Sequence, residues 1–147
     1  MQRALRFLGY RPRSEAEVRN FLVQRGYSAA ITEQALAKLR ALHYLDDDTF
    51  AHNWARSRAE SLGYGPKRIE QELRTKGIGQ ALIREVLGKT FAPGNEAARA
   101  KLMLAKGFKN RQLDDQKTLR RAVGFLQRRG YSSKVIFDLL KCTVEDD

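Results

Sequence analysis

The chain has 147 residues, 28 Lys and Arg against 17 Asp and Glu, and a formal charge of +11, a balance that points to a polyanion or an acidic protein surface as partner. A single cysteine, Cys142, excludes an intrachain disulfide and suits a reducing, cytosolic setting. No stretch approaches the roughly 18 apolar residues of a membrane span, and the N-terminus lacks a leader pattern, so a soluble cytoplasmic protein is expected.

The first predicted helix begins abruptly at Ala4, Leu5, Phe7 and Leu8 and stops at Gly9. A second starts at Ser14-Glu15-Ala16-Glu17, a capping-box pattern in which the Ser hydroxyl and the Glu carboxylate each satisfy the other's backbone N–H. The third runs from about Ala29 to Leu42 with Ile31, Ala35, Leu36 and Leu39 inward, and His43 leads into the next element without a linker.

Residues 44–78 are the centre of the chain. Asp46 is the expected N-cap of a helix of about four turns, with Asp47 and Asp48 favoured at its positive end and Phe50, Ala51, Trp54, Ala55 and Leu62 as its apolar stripe. Gly63, Gly65 and Pro66 end that helix and start another, since Pro suits a first helical position. Ile69 and Leu73 face inward from this second helix, and Gly77 ends it in a left-handed conformation.

After Leu87, the residues Gly88, Pro93, Gly94 and Asn95 interrupt the helical period, which places a hinge at 88–95. Beyond it come a helix with Ala98, Leu102 and Ala105 inward, a polar connection from Gly107 to Asp115, and an amphipathic helix carrying Leu119, Ala122, Val123 and Leu126. The last helix carries Val135, Ile136, Leu139 and Leu140, and the acidic end Glu145-Asp146-Asp147 is expected to fray. No segment argues for a strand.

The chain repeats. Aligned on Gly26, Gly77 and Gly130, it places Leu22, Leu73 and Leu126 four residues before the glycine and Val18, Ile69 and Ala122 eight before. Ile31, Leu82 and Val135 stand five after, and Leu36, Leu87 and Leu140 ten after. Each corner offers a helix-ending glycine, an apolar residue over the bend and a possible N-cap, as in Gly26-Tyr27-Ser28 and Gly130-Tyr131-Ser132. The expected fold is therefore all-α, an elongated array of three tandem three-helix modules at residues 1–43, 44–92 and 93–147. The charge is uneven: 8 basic against 3 acidic residues in the first module, 8 against 7 in the second and 12 against 7 in the third.

Enzyme signatures are missing. Gly63-Tyr64-Gly65-Pro66-Lys67 is too short for a phosphate loop and has Pro where backbone donors are needed. His43, His52 and Cys142 are the whole His and Cys supply, so neither a structural zinc site nor any cofactor is expected. Asp46, Asp47, Asp48 and His52 could be arranged around a divalent ion, but a capped helix start explains them more simply. Trp54, a possible stacking aromatic, reads as core at its spacing from Phe50.

The cations are more informative. Arg56 and Arg58 lie toward the end of the first central helix, and Arg74 and Lys76 end the second, where either the dipole or a partner contact accounts for them. Lys67 and Arg68 sit at a positive helix end, where an anionic partner would relieve them. In the third module Lys117, Arg120, Arg121, Arg128 and Arg129 crowd one helix, either as a solvated face or as a contact to nucleic acid or an acidic surface.

Tyr44-Leu45-Asp46-Asp47 with Phe50-Ala51, then Arg56 and Arg58, Gly63-Tyr64-Gly65-Pro66 with Arg68-Ile69 and Glu72-Leu73, and Lys76-Gly77-Ile78 together resemble the RecX family. Ser14, Glu17, Leu22 and Gly26-Tyr27 fit as well, as do Arg128-Arg129-Gly130-Tyr131, so the resemblance covers essentially the whole chain. It implies a cytoplasmic, monomeric regulator of the RecA recombinase, with no enzymatic activity of its own. Such a protein lies in the groove of the RecA filament on single-stranded DNA and lowers ATP hydrolysis, strand exchange and coprotease activity. On this view Arg56, Arg58, Lys67, Arg68, Arg74 and Lys76 form the central contact surface, and the basic helix of module three adds a second contact, to an acidic surface or directly to single- or double-stranded DNA. The competing expectation is a stand-alone DNA-binding protein that uses the helix-turn-helix look of its Gly-Tyr-Ser corners.

Overall fold

The computed structural model describes residues 1–109 and 113–145, with side chains to 141. Nine α-helices and no strand are present among them: α1 Gln2–Tyr10, α2 Glu15–Gln24, α3 Ala29–Ala41, α4 Asp47–Ser61, α5 Pro66–Thr75, α6 Gln80–Thr90, α7 Asn95–Gly107, α8 Gln116–Arg129 and α9 Ser133–Glu145. The helix starts follow side-chain chemistry. Ser14 and Glu17 complete the capping box of α2, Ser28 caps α3, Asp46 caps α4 through the Thr49 N–H, and Pro66 opens α5.

The helices gather in threes around three separate apolar cores. Val18, Leu22, Leu36 and Leu39 centre the first, Ile69, Leu73, Ile83 and Val86 the second, and Ala122, Leu126, Tyr131 and Ile136 the third. Truncating a wholly buried Leu or Ile of this kind costs about 2–5 kcal/mol. The accessible surface is 9508 Å², whereas a compact chain of this mass exposes roughly 7,700 Å². The array is therefore elongated.

Every residue predicted four and eight positions before the repeat glycine is buried. Ten residues after the glycine, Leu36 and Leu140 are buried and Leu87 half-buried against its core, whereas five after it Leu82 and Val135 are only half-buried and the first module departs outright. Ile31 is 54% exposed, and Thr32, Ile83 and Ile136, six residues after the glycine, are buried instead. The cap of each third helix, two residues past the glycine, sets the phase in which the helix meets its core. Leu62, expected inward, is also 39% exposed, and Ala59 is the buried residue there. In α7 the buried residues are Ala100 and Leu104 with Met103 beside them, not Ala98, Leu102 and Ala105. That helix is apolar on most sides, so its period does not single out one face.

Two breaks move. Helix α1 passes Gly9, and α6 passes Gly88, so the gap between modules two and three is only Phe91–Gly94. Exposed Gly88 costs about 1 kcal/mol relative to Ala, which buried Val86 and half-buried Leu87 outweigh. The Asn95 side chain donates to the Thr90 carbonyl at 2.9 Å and stitches the short turn closed.

Candidate contact surface

Successive modules meet where their second helices abut. Ser14, fully buried, caps α2: its hydroxyl accepts from the Glu17 N–H and donates to the carbonyl of Lys76, the C-cap of α5, at 2.6 Å. The Glu15 N–H donates to Asp47 of α4 at 2.8 Å. Glu17 collects cations from both modules, with Arg11 at 2.5 Å, Lys76 at 3.3 Å and Arg13 at 3.7 Å. Burial pushes its pKa up, but the hydrogen bonds from Arg11 and the Ser14 N–H and the charges of Lys76 and Arg11 prevail and hold it below the usual value. Asp47 goes the other way: burial and the nearby Glu15 and Asp46 charges raise its pKa against the Glu15 N–H bond. Gly77, at φ +79°, lies so close to Ala16 that any side chain would strike its methyl group.

The second joint repeats the plan. Gly65, the uncapped start of α5, donates its N–H to the Arg129 carbonyl at 2.6 Å, and the Lys67 N–H donates to the Gly130 carbonyl at 2.9 Å. Arg68 donates to the Arg128 carbonyl at 3.2 Å, and Arg129 reaches back to the Leu62 carbonyl at 2.8 Å. Free N–H groups at one helix start thus meet free carbonyls at another helix end, satisfying both. The buried Tyr131 hydroxyl donates to the Gly63 carbonyl at 2.8 Å, and burial raises its pKa to about 12.

This joint corrects two expectations. Modules two and three are tied by these bonds across the predicted hinge. Arg68, which looked stranded at a positive helix end, has the negative end of α8 beside it. Its guanidinium also covers the Tyr64 ring at 3.7 Å. Lys67 remains exposed.

The other predicted contact residues fall into groups. Arg58 and Lys76 lie over the Trp54 ring at 4.1 and 5.0 Å, and Arg58 also pairs with Glu72 at 3.5 Å. Trp54 is half-buried, packed against the central core and stacked on Phe50 at 5.7 Å. It lines a cleft of about 290 Å³ with Arg68, Gln71, Glu72, Thr75 and Lys76. Its indole N–H and the Glu72 Oε2 are buried with no hydrogen-bond partner among the described residues. A second cleft, about 260 Å³, joins Lys67 and Arg68 to Arg128 across the joint. Along α8, Lys117, Arg121 and Arg128 share one face at helical spacing, with Arg120 beside it, all exposed. Arg129 turns away, into the joint and over Phe125 at 4.6 Å. Arg74 is held by Glu70 at 2.7 Å and Gln80 at 3.2 Å, and Arg56 bonds Asn53 at 2.7 Å on the His52 side of α4. Asp48, His52 and Glu85 each place a potential ligand atom within 4.8 Å of the others, on exposed or half-exposed helix faces where Glu85 is also paired with Lys89. Asp46 and Asp47 serve as cap and joint.

Sequence reasoning missed Glu72 and the second role of Glu17. Both are acids among the cations of the central surface, and their spacing on α5 and α2 reads as ordinary solvated helix until the modules are docked.

Fold and surface together define an all-helical tandem-repeat protein whose docked modules carry a basic seam from α5 to α8. Models of the first, second and third three-helix domains of RecX match residues 1–39, 46–87 and 95–140 respectively. The chain belongs to the RecX family. It is 32% identical over 148 residues to "Regulatory protein RecX" of Mycolicibacterium smegmatis, covering 97% of this chain and 78% of that one. To the protein of the same name from Trichlorobacter lovleyi it is 36% identical over 141 residues, covering 94% of this chain and 91% of that one. The structure is similar to a crystal structure of regulatory protein RecX, with TM-score 0.82 and 29% identity over 96% of this chain and 70% of the other. RecX from Lactobacillus salivarius, at TM-score 0.83 and 22% identity over 99% of this chain and 94% of the other, shares the fold.

Proposed function

We propose that the chain regulates the RecA recombinase, lying in the helical groove of the RecA filament on single-stranded DNA and lowering its ATP hydrolysis, strand exchange and coprotease activity. The observation that carries this reading is the cleft in which Lys67 and Arg68 of module two meet Arg128 of module three. An elongated array with a basic seam across its joint suits a long, acidic, repeating partner better than a small ligand. The working units are residues 1–43, 44–92 and 93–147, acting as a cytoplasmic monomer without cofactor or chemistry of its own. Among the described residues no helix is long and apolar enough to cross a membrane.

The test is Lys67→Glu combined with Arg128→Glu, both exposed and with no side-chain hydrogen bond or ion pair across the joint among the described residues. The double variant is expected to inhibit DNA-dependent ATP hydrolysis by RecA at least about tenfold more weakly, equivalent to roughly 1.4 kcal/mol. Unchanged inhibition by a variant that keeps its helical circular dichroism refutes the seam's role.

The stand-alone DNA-binding reading loses ground because two of its three corners, at Gly77 and Gly130, pack against Ala16 and Arg68 of neighbouring modules. Strong, sequence-selective binding to naked duplex without recombinase would restore it.

A further inference from the structure

A cleft of about 660 Å³ opens between α1 and α2 on module one, far from the basic seam in sequence. Arg3, Arg6, Arg13 and Arg25 line it together with three aromatic residues and no acid. Arg3, Arg6 and Arg25 pair with no carboxylate among the described residues, and only Arg13 reaches one, Glu17, at 3.7 Å. That carboxylate is already shared with Arg11 and Lys76. Four guanidinium groups facing one space with so little compensation favour an anion between them.

The aromatic residues hold these cations in place. Phe7 and Phe21 stack face to face, 4.2 Å apart and 6° from parallel. The Arg13 guanidinium lies 3.9 Å from the Phe7 ring centre and that of Arg25 4.8 Å from the Phe21 ring centre. Each ring has one face on the other ring, so the guanidinium covers the remaining face. The planar cations are thus stacked by one face; Arg13 turns its edge toward Glu17, while the N–H edge of exposed Arg25 meets no carboxylate among the described residues and can donate to an oxygen anion. Tyr10, at the end of α1 and also lining the cleft, is 78% exposed.

We propose that this cleft binds a single-stranded nucleic-acid segment, with Arg3, Arg6 and Arg25 taking backbone phosphates and Tyr10 offering its ring to an unstacked base. Phosphate alone would account for the arginines but not for Tyr10. A duplex keeps its bases stacked on one another and would leave the ring idle. The proposal does not rest on the reading of module two, because it predicts affinity in the absence of any recombinase.

The experiment is fluorescence anisotropy of the full chain with labelled oligothymidylate, alongside oligouridylate, the same backbone without bases, a duplex, and oligoglutamate of matched charge as competitor. Tyr10→Ala is expected to weaken binding about five- to a hundredfold and Tyr10→Phe to leave it nearly intact. Arg25→Ser is expected to lower affinity and to reduce the slope of log affinity against log salt by about 0.7. Binding of either base-bearing strand supports the proposal, and their ratio reports which sugar the cleft prefers. Equal binding of the abasic backbone, or Tyr10→Ala without effect, overturns the base platform. Oligoglutamate competing as well as the strand assigns the cleft to an acidic protein segment instead. Affinity unchanged in an Arg3→Ser, Arg6→Ser, Arg25→Ser triple variant overturns the site altogether, and retained helical circular dichroism separates a loss of binding from the loss of the Arg25–Phe21 and Arg3–Tyr27 stacking.

Discussion

The amide of Gly65 lies 2.6 Å from the carbonyl of Arg129, so the start of one helix is capped by the end of another sixty-four residues away. Such closeness tolerates no side chain. A methyl group on Gly65 would stand 2.7 Å from both the carbonyl carbon and the oxygen of Gly130. Gly65→Ala is therefore expected to open the joint at a cost of about 1–3 kcal/mol. Hydrogen exchange at the Lys67 amide, which donates to Gly130, should accelerate while amides in the core of α2 stay protected. Equal protection at Lys67 in both proteins would show that the joint accommodates the methyl.

At the other joint the stabilising charge is Glu17. Because its folded pKa lies below the ordinary value of 4.5, its contribution is present above that value and is lost as pH falls through the folded one. Glu17→Gln should cost about 1–3 kcal/mol at neutral pH and flatten the acid limb of a urea-unfolding series. Asp47, raised by burial, has the opposite sign: its ionised form opposes folding above its folded pKa. Asp47→Asn keeps an acceptor for the Glu15 N–H and should leave neutral-pH stability unchanged or higher. A large loss on that substitution would contradict this account.

Tyr131→Phe removes the donor to the Gly63 carbonyl and leaves that buried acceptor unpaired, at about 1–2 kcal/mol. A folded pKa of about 12 against an ordinary 10 means that the stability tied to the neutral phenol persists below pH 10 and is lost as pH rises toward 12. In a spectrophotometric titration one of the five tyrosines should ionise late, and Tyr131→Phe should abolish that late step.

His43 closes α3 at φ +64°, with the Tyr44 N–H on the Leu39 carbonyl at 2.8 Å and the His43 N–H on the Arg40 carbonyl at 3.0 Å. Glycine takes this position at Gly26, Gly77 and Gly130. His43→Gly is expected to raise stability by several tenths to about 1 kcal/mol, relief of left-handed strain exceeding the added chain entropy. A fall in thermal midpoint would show that the imidazole contributes contacts worth more than the strain.

The helices and their repeat were legible because Leu22, Leu73 and Leu126 keep one spacing to a glycine that the backbone requires. Ile31 was misplaced because the phase of a third helix depends on how the corner is capped, a distance that periodicity does not measure. Trp54 followed the spacing of a core residue and yet lies at the mouth of a cleft, since half its ring faces Arg58 and Lys76 from the neighbouring turn and helix. The contact surface was harder still. Lys67 and Arg68 drew notice as cations at a helix start, and only the docked α8 separates them into one that joins modules and one left free. Gly65, read as a turn former, is small for the sake of a residue in another module, and nothing local reports that.

The abutting second helices have one more consequence. The C-terminal end of α8 faces the start of α5, and the end of α5 faces the start of α2, so their peptide dipoles run in the same sense along the molecule. The array consequently has a head and a tail: among the described residues a helix end at Gly26 with nothing against it, and a helix start that Asp115 caps with its own carboxylate. Turned end for end, the protein does not superimpose on itself, and a partner built from identical subunits pointing one way can accept it in only one direction.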